Sequence, residues 1–275
     1  MKKSTTTLLQ LALICLGLFC SSQQTFAQLD TNDFVTTWKT DNQGYTNDSS
    51  IIIHIDGTYS YNYDIDWNND GIFDTLGVTS SIIHQFPSAG IHTIRIRGQF
   101  PACLFGNWFY NLGQSDADKL MSIDQWGNQA WKSMREGFTN CQNLSIPASD
   151  APNLDSLTSL ESLFMLCSNF NSNINHWDVS SISNFKSLFS FTNSFNQPLN
   201  NWNVSNAQFM NSMFDNATAF NQDISSWNVS SLLISNAMFE GASHFDQNIS
   251  GWNVSQLNDA GSMFFNAHQF NQDLS

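Results

Sequence analysis

Positively charged residues are scarce in this sequence, and their scarcity excludes one large class of partners. The 275 residues include only 9 Lys and Arg against 23 Asp and Glu, which gives a formal net charge of −14. After Arg135, the only Lys or Arg is Lys186. Because phosphate binding requires a basic surface, the composition argues against a nucleic-acid partner.

Long apolar runs are also absent, except at the N-terminus. The first 27 residues combine Lys2 and Lys3 with an apolar run from Leu8 to Phe19 and a small-residue site that ends at Ala27. This pattern is typical of a secretory signal peptide cleaved after Ala27. Lipidation of Cys20 is a weaker alternative, because the residues before it are large. No later run is long enough to span a bilayer, so we expect a secreted or cell-surface protein without a transmembrane segment.

Cysteine is rare, and recognisable catalytic motifs are missing. Three cysteines follow the predicted cleavage site, and an odd number in an exported chain argues against a disulfide framework. Cys141 and Cys167 occupy equivalent places in a repeat where a later copy has Thr192, so we expect free, buried thiols. The sequence contains no HExxH, no GxSxG and no glycine-rich phosphate loop. We therefore predict that the protein is not an enzyme and needs no cofactor for catalysis.

The sequence is rich in repetition, with a period of 25 residues. In each copy a Trp follows a branched aliphatic residue by three positions, and Phe residues recur at fixed places. Positions that cannot vary between copies are typical of a buried core, although a row of exposed Trp residues stacking on sugar rings is the alternative. The predicted repeat core consists of Ile123, Trp126, Ile174, Trp177, Leu199, Trp202, Ile224, Trp227, Ile249 and Trp252, with Phe189, Phe214, Phe239 and Phe264.

The pattern within one copy predicts a short strand followed by a short helix. Alternation around Ile224 favours a strand. From Leu232 to Ala242 the apolar residues are spaced by three and four, with Ser230 available as an N-cap. One copy is too small to bury its own apolar face, so copies must stack. The predicted fold class is α+β, with a small β-sandwich followed by an α/β leucine-rich-repeat-like solenoid of 25-residue coils.

The repeat resembles a known family. The segments "MFDNATAFNQDISSWNVSSL" and "MFEGASHFDQNISGWNVSQL" resemble the BspA-type leucine-rich-repeat surface proteins of bacteria. The resemblance extends over roughly residues 120–275, and "FVTTWKTDNQG", "YNYDIDWNNDGIFD" and "HTIRIRGQFP" resemble the β-rich segment that often precedes such repeats. It implies adhesion to host or matrix proteins, or to other cells.

These patterns divide the chain into four parts. We expect a signal peptide over residues 1–27 and a β-sandwich-like domain over 28–102. A junction and N-terminal capping coil follow over 103–145, and solenoid repeats occupy 146–275. We expect the last coil to be truncated, because "FNQDLS" breaks off before the Trp of its motif.

One loop in the β-rich segment is a weak candidate for Ca²⁺. Asp66, Asn68, Asp70 and Asp74 fall at the offsets of a calcium-binding loop, with a glycine where the chain must turn sharply. The twelfth position is Gly77 rather than Glu, so the bidentate ligand is missing. An ordinary hairpin turn is the favoured alternative.

The function predicted from these features is binding without catalysis. We expect an exported cell-surface protein that binds a macromolecular partner, either a protein or a glycan on another cell or matrix, through its repeats. The alternatives are a structural spacer rod and a non-catalytic arm of a larger secreted protein. A binding protein should gather its non-repeating residues on one face, whereas a spacer should scatter them.

Overall fold

The computed structural model describes residues 30–106 and 114–274 of the protein. The predicted signal peptide lies outside these ranges. The described residues form seven β-strands and one 3₁₀ helix, all of them before residue 126. The strands are β1 (Phe34–Lys39), β2 (Ser50–Ile53), β3 (Asn62–Asp66), β4 (Thr75–Val78), β5 (Ile82–Gln85), β6 (Ile91–Gln99) and β7 (Leu120–Gln125), and the 3₁₀ helix is Ala117–Lys119.

The strands form two antiparallel sheets in the region where the sequence is β-rich. The larger sheet has the order β4-β3-β6-β1-β7, and β2 pairs with β5 in the smaller one. In β6, Ile94 and Ile96 are buried and Arg97 is exposed, as alternation predicts. Arg95 is also buried, and its guanidinium forms an ion pair of 3.1 Å with the carboxylate of Asp33. An ionic partner therefore compensates the burial of this one charge on the second face of the strand.

The predicted α+β fold with an α/β solenoid is wrong. Among the described residues there is no α-helix, and residues 126–274 form turns connected by isolated parallel bridges. The bridges join residues 25 positions apart, such as Phe209 with Ile234. They lie in the segment predicted to be helical, whereas the segment around Ile224, which was predicted to be a strand, has none. The described chain is thus nearly all β and turns.

Backbone conformation explains why the predicted helix does not form. Ala237 and Gly241 have φ values of 56° and 65°, and the left-handed region interrupts a right-handed helix. Ser235 and Ala237 donate their amide hydrogens to the carbonyls of Asp259 and Gly261 in the next repeat, each at 2.8 Å. These amides are therefore not available for bonds within a helix. Turns within one repeat, such as Met238 N–H to Ser235 O at 3.1 Å, produce the spacing of three and four that resembled a helix.

Aromatic stacking joins successive repeats in the interior. Phe214 stacks on Phe189 and on Phe239, with ring centroids 5.6 and 5.5 Å apart. One continuous hydrophobic core extends from Phe34 in β1 to Trp252 in the repeats. The parallel bridge between Ser122 of β7 and Ser145 connects the larger sheet to the first repeat. The predicted domain boundaries at 102 and 145 stay a prediction.

The left-handed positions carry a testable energetic cost. We expect Ala237→Gly to raise the free energy of unfolding by about 0.5–1 kcal/mol, because glycine adopts a positive φ without steric strain. The matched change Ala219→Gly, at a turn residue without a positive φ, should lower it by a similar amount. Urea denaturation of both variants measures the difference, and a loss of stability in Ala237→Gly would contradict the assigned backbone.

Candidate binding face

The repeated Trp residues are directed into the interior. The indole N–H groups of Trp202, Trp227 and Trp252 donate to the carbonyl oxygens of Ile174, Leu199 and Ile224 at 3.0–3.2 Å. These rings are at most 8% exposed, which leaves little surface for a sugar ring. The whole set predicted as repeat core is buried, apart from Phe264, which is partly exposed and packs against the core.

The repeated Asn and Gln residues form a ladder that serves the fold. The side-chain oxygen of Asn196 accepts hydrogen bonds from the backbone N–H of Asn221 at 3.0 Å and from the amide of Gln222 at 2.9 Å. Asn171, Asn221 and Asp246 accept the same backbone bond from the following repeat. The side chains satisfy backbone groups that the turns leave unpaired. The hydrogen-bonding groups of the repeated polar residues are thus partly used in contacts between repeats.

One set of non-repeating residues occurs on the segments whose backbone amides donate to the next repeat. We call the surface positions of residues 135–140, 161–166, 186–191, 211–216, 236–241 and 261–266 the variable face. The first position of these segments carries Arg135, Glu161, Lys186, Asn211, Asn236 and Gly261, and the last carries Asn140, Leu166, Phe191, Asn216, Gly241 and Asn266. All five Lys, Arg and Glu residues after Lys132 lie in these segments, whereas seven of the eight Asp residues after Lys132 do not. Phe191 and Phe265 are 43% and 58% exposed.

The charge on the variable face changes along the repeats. Near its start, Glu161 pairs with Arg135 at 3.6 Å and with Lys186 at 3.3 Å. Further on, Asp215 and Glu240 are one repeat apart, with no cation paired to either among the described residues. Burial raises the pKa of Asp215, and the neighbouring charge of Glu240 raises it further. The face therefore has a mixed-charge beginning and an acidic middle.

A small cavity lies beside the start of the variable face. It has a volume of about 300 Å³ and is lined by Gln43, Tyr45, Asp118 and Asn140, among others. Tyr45 is 47% exposed, and the side chain of Asp118 is only partly buried. Sequence reasoning missed these residues, because they belong to three distant segments and no local motif links them.

The predicted Ca²⁺ loop connects β3 to β4 as a hairpin. The carboxylate of Asp66 is buried and accepts the backbone N–H groups of Gly71 at 2.8 Å and of Asn68 at 3.2 Å. Asp74 accepts the N–H of Trp67 at 2.9 Å, and Asp70 accepts that of Ile72 at 2.8 Å. Groups of three or more metal-ligating His, Cys, Asp or Glu side chains are not found in the described part of the chain. The loop's own amides use the oxygens that a cation would need, and Ca²⁺ binding stays a prediction.

The three described cysteines are free and buried, as predicted. Burial raises the pKa of the Cys103 and Cys167 thiols to about 12. The pKa of Cys141 is raised well above its usual value for the same reason. The Cys167 thiol donates to the carbonyl of Phe138 at 2.9 Å. Thiols held in this way are poor nucleophiles and serve as small core side chains.

Comparison with known proteins places the repeats in a family. A family model described as "Mycoplasma protein of unknown function, DUF285" matches residues 132–243 and 210–275, just over half of the chain. This match agrees with the resemblance at the level of a family and does not specify leucine-rich repeats. No curated protein and no solved structure matches the chain. Over residues 30–106 and 114–274, no helix has the length and apolar character needed to cross a membrane.

Proposed function

The chain belongs to the DUF285 family of proteins of unknown function, and from that premise we propose that it is an exported, non-enzymatic surface protein that binds a macromolecular partner. The variable face is the proposed contact surface. The export part of the proposal rests on the N-terminal pattern of Lys2, Lys3 and the apolar run that ends near Ala27.

The observation that carries the proposal is the segregation of repeating from non-repeating residues. The repeating Phe, Trp and aliphatic residues are buried in the core, and the Asn ladder connects the repeats. The Lys, Arg and Glu residues that follow Lys132 fall in the segments of the variable face, as does the exposed ring of Phe191, whereas most Asp residues of the repeats lie elsewhere. A spacer has no reason to gather them. Exposed aromatic side chains among charged ones are typical of interaction surfaces.

The chemistry of the variable face indicates what kind of partner it fits. Phe191 and Phe265 offer apolar contacts, and Asp215 and Glu240 offer negative charge. A protein surface with basic side chains around an apolar patch complements this arrangement. Since many hydrogen-bonding groups of the repeats are already used between coils, binding should require little rearrangement of the protein.

A pair of matched variants tests the proposal. The variable-face variant combines Lys186→Asn, Phe191→Asn and Glu240→Ser, each to the residue found at an equivalent position of another repeat. The control variant combines Asn201→Ser, Ser225→Asn and Ser226→Asn, which are exchanges of the same kind at exposed positions elsewhere on the repeats. Both triple variants should fold as the original protein does.

Binding of the purified protein to animal cells and to immobilised matrix proteins gives the readout. We expect saturable binding that falls at least tenfold in the variable-face variant and is unchanged in the control variant. Equal binding by the two variants would show that the variable face does not contact the partner. No saturable binding to any of these surfaces would favour the spacer.

A further inference from the structure

We propose that the cavity at the start of the variable face is a binding site for a neutral, hydroxyl-rich ring, such as one sugar residue of a glycan. This inference deepens the proposed function and rests on it, because it assigns a ligand class to a site that adjoins the proposed contact surface. The cavity's volume of about 300 Å³ is at the lower end of the range for ligand sites.

Polar side chains converge on the cavity. Asp118 lines it, and its side chain is only partly buried. Burial raises the pKa of Asp118, and the backbone N–H of Gln142 lowers it. The carboxylate has room for further donors, which ligand hydroxyls supply.

Carboxamide and phenol groups line the cavity beside the carboxylate. The side-chain oxygen of Asn140 accepts from Gln142 at 2.9 Å, which leaves the Asn140 amide hydrogens as donors. The side chain of Gln43 and the phenol of Tyr45 also line the cavity, and neither makes a hydrogen bond within the described ranges. An acceptor carboxylate and carboxamide groups together match vicinal hydroxyls, which both donate and accept.

The cavity also has an exposed aromatic ring in its lining. Tyr45 is 47% exposed at the rim of the cavity, and an aromatic face provides apolar surface for the C–H face of a sugar. An anionic ligand is disfavoured by the Asp118 carboxylate and by the net charge of −14. A neutral ring therefore fits better than a phosphate or an acidic sugar.

The walls of the cavity are held in place, so the site is preformed. The segment with Gln43 and Tyr45 packs so closely on Asp116 and Lys119 that a side chain on Gly44 would collide with them. Tyr45 donates its backbone N–H to the carbonyl of Ser115 at 3.1 Å. On the other wall, Asn140 donates its backbone N–H to Met165 at 2.8 Å. Preformed walls lower the entropic cost of binding.

Titration with methyl glycosides tests the site directly. Saturation-transfer NMR on the full protein would use methyl glucoside, galactoside, mannoside and N-acetylglucosaminide, with choline as a cationic probe. We expect at least one glycoside to bind with a millimolar dissociation constant. Tyr45→Ala and Asp118→Asn should each weaken that binding about tenfold. Ile83→Ala, which removes an apolar side chain of similar exposure that lines neither the cavity nor the variable face, should leave it unchanged.

The outcomes separate this inference from the proposed function. Failure of every glycoside to bind, or equal binding by Tyr45→Ala and Ile83→Ala, would overturn the sugar site. Binding of choline instead of the glycosides would also overturn it. If cell or matrix binding persisted and still depended on the variable face, the proposed function would stand without the sugar site. If Asp118→Asn failed to fold, Gln43→Ala would provide the second variant.

Discussion

Replacing Phe214 by Ala is expected to lower the free energy of unfolding by about 3–5 kcal/mol. Phe214 is fully buried, and its ring stacks on Phe189, Phe220 and Phe239 at 5.6, 4.0 and 5.5 Å. The substitution leaves a cavity between three repeats at once. Neighbouring rings cannot collapse into it, because each is fixed by its own stack.

Guanidinium denaturation followed by Trp fluorescence measures this loss. Phe191→Ala is the matched control, since it removes the same side chain at an exposed position and should change the free energy of unfolding by less than about 1 kcal/mol. A small effect of Phe214→Ala, comparable to that of Phe191→Ala, would show that the stacked interior does not hold the repeats together.

Replacing Lys119 by Met is expected to lower the free energy of unfolding by about 3–5 kcal/mol. The ammonium group is completely buried and donates to the carbonyls of Thr46, Asn47 and Ser50 at 2.8–3.0 Å. It also lies 3.7 Å from the carboxylate of Asp116. Met fills a similar volume but removes one donor from each of three carbonyls and leaves one buried carboxylate without its cation.

The control for this change is Lys132→Met, at an exposed lysine. It should alter the free energy of unfolding by less than about 0.5 kcal/mol. Thermal and chemical denaturation of both variants give the comparison. Equal stabilities would mean that Lys119 reaches water, contrary to its burial in the structure.

The buried positions of the repeats were accessible to sequence reasoning, because a 25-residue period marks every place that cannot vary. Trp202 and Phe214 are buried where that reasoning expected a core. The local conformation was not accessible in the same way. The spacing of apolar residues in 232–242 is the same for a helix and for successive turns, and only the positive φ values of residues such as Ala237 distinguish them. Alanine gives no signal of a left-handed conformation.

The sugar site could not be predicted from the sequence, and the reason is different. Tyr45, Asp118 and Asn140 come together only through the packing of the loop before β2, the 3₁₀ helix and the first repeat. No spacing rule relates three segments whose contact depends on tertiary packing. The Ca²⁺ loop presents the opposite case, since its residues are local and their pattern fits both a metal site and a turn.

The most direct test of the account is an NMR measurement on residues 234–241. These residues are helix-free and donate alternate amides to the next repeat, an arrangement that places 236–241 on the variable face. It predicts left-handed chemical shifts at Ala237 and Gly241, and a scalar coupling across the hydrogen bond from Ala237 N–H to Gly261 O. An unbroken run of helical shifts through this segment, with no coupling between repeats, would contradict it.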